Sequence, residues 1–120
     1  MPIHSAGCHW SLAVIDLSNK EIVIYDSMGG ERSSELRLLM WYLRQEAWER
    51  NQTEVDLDGF VQVSRVKNLC RQDNSVDCGV FTVMYAEYLS RRSAIDFTQE
   101  DMEYFRCKVA YEILINKKIN

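Results

Sequence analysis

Four side chains have the chemistry for acyl transfer by a thiol: Cys78 as nucleophile, His9 as base, Asp26 to orient that base, and Gln72 as a donor to an oxyanion. A thiol nucleophile needs a base within hydrogen-bond reach, a group that fixes the tautomer of the base, and donors aimed where negative charge develops. Cys78 opens the segment CGVFTVMYAEYLSRR and so falls at the expected first turn of a helix. Unpaired backbone N–H groups and the positive end of the helix dipole favour an anionic sulfur there. Gly79 keeps the approach to the sulfur open. Gln72 precedes Cys78 in the loop entering the helix, where its side-chain amide can donate.

The elements that must bring these groups together are legible in outline. CHWSLAVIDL, residues 8–17, is apolar at nearly every position, which suits a central strand covered on both faces. Turn chemistry at Ser18, Asn19 and Lys20 separates it from EIVIYD, a second strand ending near Asp26. Parity decides whether His9 and Asp26 meet. An even turn, such as Ser18-Asn19 or Asn19-Lys20, makes paired residue numbers sum to an odd value and puts Asp26 diagonally across from His9 on one face. An odd turn separates them.

After Gly29 and Gly30, with Ser33 or Ser34 as N-cap, Leu36, Leu39, Met40, Leu43 and Ala47 recur at helical spacing to about Arg50. Trp41 and Trp48 lie on one face of this helix and read as packing residues; Glu46 and Arg50 read as a surface pair. A polar loop is expected over 51–59, then a short strand carrying Phe60, Val61, Val63 and Val66. RQDNSVD has loop chemistry, and the helix begun by Cys78 is apolar on most sides, with Arg91 and Arg92 complementing its C-terminus. A last helix runs from Thr98 to about Ile115, with a Thr98–Asp101 capping box and a Phe97–Met102 staple. The expected fold is α+β: a small, mostly antiparallel sheet packed against the Cys78 helix, flanked by the helices near 34–50 and 98–115.

At 120 residues and 47% hydrophobic, the chain suits one domain with a single core. Fourteen basic residues against eighteen acidic ones give a net charge of −4, which argues against electrostatic recruitment of nucleic acid or anionic lipid. The apolar runs fall short of a membrane span, and a basic or amphipathic macromolecule is the better-matched partner. Cys8, Cys70, Cys78 and Cys107 lack paired C-x-x-C spacing, and no signal-peptide pattern precedes them, so free thiols in a reducing compartment are expected. His4, Cys8, His9 and Cys70 fit no standard zinc pattern, and neither a metal nor an organic cofactor is expected.

HWSLAVIDL, IYDSMGG, the stretch from Gln72 through QDNSVDCGVF, and DFTQEDMEYFR resemble, in order and separation, the SUMO-specific cysteine proteases, the Ulp/SENP group of the papain-like superfamily. The likeness runs from Pro2 to the C-terminus and is to the C-terminal half of the catalytic domain. It implies a papain-like half-domain and a peptidase and isopeptidase that cleaves after the C-terminal Gly-Gly of SUMO, with SUMO and its conjugates as partners and the nucleus as location, the cytoplasm being the alternative. Carried over by position, Cys78 matches the family nucleophile, His9 the base, Asp26 the orienting carboxylate and Gln72 the oxyanion donor. Trp10 matches the aromatic over the modifier's tail, where a flat indole admits glycine and excludes a residue with a Cβ.

The family carries about as much catalytic domain again before the histidine strand, so residues 1–120 are expected to be its C-terminal part, with the N-terminal part absent. Two other readings share these residues: a peptidase for another ubiquitin-like modifier, such as the Nedd type, and a non-catalytic, modifier-binding fragment. A central strand so near the N-terminus is expected to leave an unpaired edge and to promote self-association.

Overall fold

The computed structural model describes residues 1–51 and 57–119. Strand β2 spans His9–Asp16 and β3 spans Glu21–Tyr25; they pair antiparallel, with Leu12 opposite Tyr25 and Ala13 opposite Ile24. The paired numbers sum to an odd value, as an even turn requires. The turn is longer than the sequence suggests, running from Leu17 to Lys20, but it is still even. Asp16 explains its shape: one carboxylate oxygen accepts the backbone N–H groups of Ser18 and Asn19 at 2.9 and 3.0 Å, and the other accepts the Asn19 amide. Lys20 closes the turn at a positive φ of 52°.

A strand the sequence did not announce, β1 over Pro2–Ser5, pairs antiparallel with the other side of β2, with His4 opposite Trp10 and Ser5 opposite His9. Proline at the start of an edge strand removes no ladder bond. β1 occupies the edge of β2 that was expected to be open, so the open edge of the sheet lies at β1 instead. On the far side β4, only Val61–Val63 rather than 60–66, runs parallel to β3 and completes the order β1-β2-β3-β4.

Both faces of this sheet are covered, which is why β2 lacks polar alternation. On one face Leu12 packs with Phe81, Met84 and Tyr85 of α2 (Cys78–Ser90), and with Met102 and Phe105 of α3 (Met102–Ile115). On the other, Ala13, Ile22 and Ile24 meet Leu36, Leu39 and Met40 of α1 (Ser33–Asn51), with Leu57 alongside. The expected α+β architecture is the one observed. The loop expected over 51–59 lies largely outside the described residues.

The capping box at Thr98 and Asp101 forms as expected, closing a 3-10 turn, Gln99–Asp101, that feeds α3. Phe97 and Met102 are both buried in the α2–α3 core. At the start of α1 the two serine hydroxyls instead donate to carboxylates, Ser33 to Glu31 and Ser34 to Glu35. Glu46 and Arg50 pair on its surface, and Arg91 at the end of α2 pairs with Glu87 at 3.0 Å.

Trp41 and Trp48 correct the sequence reading: they are 59% and 58% exposed. Leu36, Leu39 and Met40 define the buried stripe of α1, and Trp41 stands about 100° further round the helix, beyond it.

Phe81 is fully buried between the rings of Tyr85 and Phe97, at centroid distances of 5.9 and 5.7 Å. Phe81→Ala is expected to destabilise the protein by about 3–5 kcal/mol in urea denaturation; a loss below about 1 kcal/mol would mean that this core is not the support of α2.

Candidate active site

The hairpin register delivers the first pair. His9 opens β2 and Asp26 follows the last residue of β3; both are more than nine-tenths buried, and His9 Nε2 lies 2.8 Å from Asp26 Oδ1. An ionised carboxylate only accepts, so in the neutral imidazole Nε2 carries the proton and Nδ1 is the nitrogen able to take one.

Asp26 gathers more donors than the sequence suggested. Its Oδ1 also accepts the Met28 backbone N–H at 2.8 Å, and its Oδ2 accepts Arg32 Nε–H at 2.5 Å. Burial alone pushes this carboxyl upward, but the bonds from His9, Arg32 and Met28, with the Arg32 charge, hold it below the ordinary carboxylate value. Gly30 makes that approach feasible, since a Cβ there would sit 3.0 Å from Asp26 Oδ2 and 3.4 Å from Arg32 Nε. Gly29 has a positive φ of 69°, and a Cβ on it would lie 2.5 Å from Arg71 Cζ. The glycine pair thus seats two guanidinium groups in the segment after β3.

Gln72 reaches the same corner from the loop before α2. Its backbone N–H donates to the Ser27 carbonyl at 3.0 Å, its Oε1 accepts the Ser27 hydroxyl at 2.6 Å, and its Nε2 donates to the Asn74 carbonyl at 2.5 Å. The side chain is therefore beside the residue that follows Asp26, with one of its two amide hydrogens committed to the loop.

Cys78 is the first residue of α2 and is 6% exposed; its Sγ approaches the Cys8 carbonyl at 4.0 Å, one residue from His9. Trp10 lies over the same helix start, its Cδ1 3.9 Å from where a Gly79 Cβ would be. The indole is 40% exposed and stacks on His4, with ring centroids 4.4 Å apart. The five side chains singled out in the sequence thus gather where the β1–β2 turn, the segment after β3 and the start of α2 meet.

Sequence reasoning missed the groups that hold this corner. Asp77, just before Cys78, is 7% exposed and accepts Asn74 Nδ2 at 2.7 Å, Gln99 Nε2 at 2.8 Å and the Arg106 guanidinium. Those donors, Asn74 first, hold its carboxyl below the ordinary value against a smaller upward push from burial. Asn74 Oδ1 in turn accepts the backbone N–H groups of Val76 and Asp77. The Asp-Asn-Ser composition of this loop signalled turn chemistry but not these long-range partners. All four cysteines are free, and among the described residues no three His, Cys, Asp or Glu side chains gather into a metal-holding group.

Residues 1–118 match the Ulp1 protease family, C-terminal catalytic domain. The chain is 37% identical to a sentrin-specific protease of Caenorhabditis elegans, covering 98% of this chain and 16% of that protein. It is 39% identical to sentrin-specific protease 2 of Mus musculus, over 95% of this chain and 19% of the relative. Among solved structures it resembles the C-terminal Ulp1 protease domain in complex with Smt3, the yeast ortholog of SUMO, at a TM-score of 0.77 and 27% identity, covering 95% of this chain and 50% of that one. A Chaetomium thermophilum Ulp1-like SUMO protease catalytic domain is similar at a TM-score of 0.69 and 27% identity, over 99% of this chain and 46% of that domain. The chain therefore spans about half of the solved domains and under a fifth of these two curated relatives.

The lowered pKa of Asp26 makes stability pH-dependent with a definite sign. Its contribution is complete above the unfolded carboxyl value of about 4 and drains away as pH falls through the lower folded value. Asp26→Asn is expected to cost about 2 kcal/mol in urea denaturation at pH 7 and distinctly less near pH 2.5. A cost that stays constant with pH would contradict the lowered pKa.

Proposed function

The chain belongs to the Ulp1 protease family, and from that premise we propose that it acts as a cysteine peptidase and isopeptidase, cleaving after the C-terminal Gly-Gly of SUMO in conjugates and precursors. The observation that carries this reading is the buried His9–Asp26 hydrogen bond at 2.8 Å beside a cysteine at the mouth of a helix. The relatives, sentrin-specific proteases and a domain in complex with Smt3, support SUMO as the modifier. The nucleus is the proposed location, on the family resemblance alone.

In this reading His9 Nδ1 takes the Cys78 thiol proton and the sulfur attacks the carbonyl carbon of the terminal glycine, whose oxygen takes up the displaced electron pair. The uncommitted hydrogen of the Gln72 amide is the donor for that oxyanion. When the carbonyl reforms, the C–N bond breaks and the leaving amine receives the proton from His9. Water, deprotonated by His9, then hydrolyses the thioester and releases the free carboxylate and the Cys78 thiol. Asp26 holds the imidazole in the tautomer that leaves Nδ1 free and balances the imidazolium once it forms. Trp10 covers the approach to Gly79 and the helix start, where a tail without side chains passes beneath the indole.

A SUMO probe carrying a C-terminal electrophile tests this directly. The parent chain is expected to form a covalent adduct, Cys78→Ala to form none, and Asp26→Asn to react at least ~10³-fold more slowly because the wrong tautomer is released. No adduct on the parent while it still binds the probe would end the enzymatic reading, and faster labelling by a Nedd-type probe would transfer it to that modifier.

A further inference from the structure

Arg32 follows the glycine pair in a polar stretch, yet its side chain is only 18% exposed, while the Asp26 side chain it meets is 2% exposed. It is secured at several points. The Nε–H bonds Asp26 Oδ2 at 2.5 Å, Nη1 bonds Glu35 Oε1 of α1 at 3.2 Å, and the backbone N–H bonds the Ser64 carbonyl at 3.2 Å. The backbone carbonyl of Arg32 also accepts the Leu36 N–H of α1. A bond to Oδ2 from one side and bonds from His9 and Met28 to Oδ1 from the other fix the carboxylate plane. The backbone N–H of Met28 cannot orient the group alone, because it shares an oxygen with His9.

We propose that Arg32 is a positioning residue of the hydrolytic site: it takes the second oxygen of Asp26 so that the first is presented to His9, and its charge moderates the pull of Asp26 on the imidazolium. This rests on the proposed peptidase reading. Arg32 touches neither His9 nor any reacting atom, and acts only through Asp26. Glu35 lies on its far side and aims the guanidinium. Among the described residues, other ionisable groups near this corner include Cys78 at the start of α2, Tyr85 on α2, pushed up first by burial and then by Cys70 and Asp26, and Arg71, which opposes that push. Arg71 packs on Gly29, so it remains when Arg32 is replaced.

Two substitutions separate charge from geometry. Arg32→Gln removes the charge, and Arg32→Lys keeps a charge but loses the fork that delivers Nε–H. The His9 Nε2 proton is followed by NMR in the Cys78→Ala background, a readout that needs no turnover. The Gln variant is expected to move the resonance of the His9 Nε2 proton downfield, because a carboxylate no longer shared with a guanidinium accepts that proton more strongly. The Lys variant is expected to leave it near the parent value.

In the Cys78 protein both variants are expected to label with the SUMO probe about tenfold or more slowly, as a displaced orienting group costs rate without removing the nucleophile. Binding of the unreactive SUMO tail and the thermal midpoint of the Lys variant are expected to stay close to the parent. An unchanged His9 ring-proton resonance in Arg32→Gln, or labelling within twofold of parent in both variants, overturns the assignment. If Arg32→Gln fails to fold, slower labelling by folded Arg32→Lys sustains the geometric role and an unaltered rate overturns it. Failure of the parent to label sinks the peptidase reading instead, while the His9 ring-proton resonance still decides whether Arg32 moderates Asp26.

Discussion

A carboxylate withdrawn from water at the end of an apolar strand is the constraint around which this corner is built. Asp26 is 4% exposed, and an ionised group so placed is tolerated only when its oxygens are filled by donors. No single element supplies enough. One donor comes from the neighbouring strand through His9, one from the chain reversal at Met28, and one from Arg32 at the threshold of α1. Satisfying Asp26 therefore folds the segment after β3 back on itself, and that segment in turn presents Ser27 to Gln72. The bareness of Gly30, above Oδ2, is what lets the guanidinium close in.

A second buried carboxylate does comparable work on the sulfur side. Asp77 has no capping bond to its own helix; it collects Asn74, Gln99 and Arg106 instead, and so ties the loop, the turn before α3 and the body of α3 to the residue preceding Cys78. Beneath this, Thr82 donates to the Cys78 carbonyl at 2.8 Å, and the packed rings of Phe81, Tyr85 and Phe97 hold α2 against β2. Apolar packing sets where the helix lies, while the polar network sets where its first residue points. The base side and the sulfur side thus have separate anchors, joined through Gln72, which bonds Ser27 on one side and Asn74 on the other.

What the sequence disclosed and what it withheld divide along the range of the interactions. The two-face burial of β2, the parity of its hairpin with β3, the start of α2 at Cys78 and the Thr98–Asp101 box are local patterns, and each was readable from a few neighbouring residues. β1 was not, because PIHS has no strand signature of its own and becomes a strand only by pairing with β2. Arg32 resembled any charged residue near a helix start until a carboxylate several residues earlier was folded onto it. Gln72 was identifiable as an amide in the right loop, but nothing in its neighbours showed that Asn74 would take one of its hydrogens. Trp41 and Trp48 misled for a related reason: size suggested packing, while their position on α1, outside the stripe of Leu36, Leu39 and Met40, left them in solvent.

In the proposed peptidase reading, the sharing of Asp26 between His9 and Arg32 also answers a difficulty that a buried carboxylate creates for a general base. Two donors on one oxygen leave the other unfilled in a poorly solvated corner, and an unfilled oxygen lets the carboxylate turn away from the imidazole. Removing the anion is no remedy, since the tautomer would then be unfixed. A guanidinium on the opposite oxygen leaves the hydrogen bond in place and draws off part of the field. The buried pair is poor evidence of stability, because the cost of desolvating two charges offsets much of their attraction. Its value in this fold is directional, and the direction it sets is the one the imidazole needs.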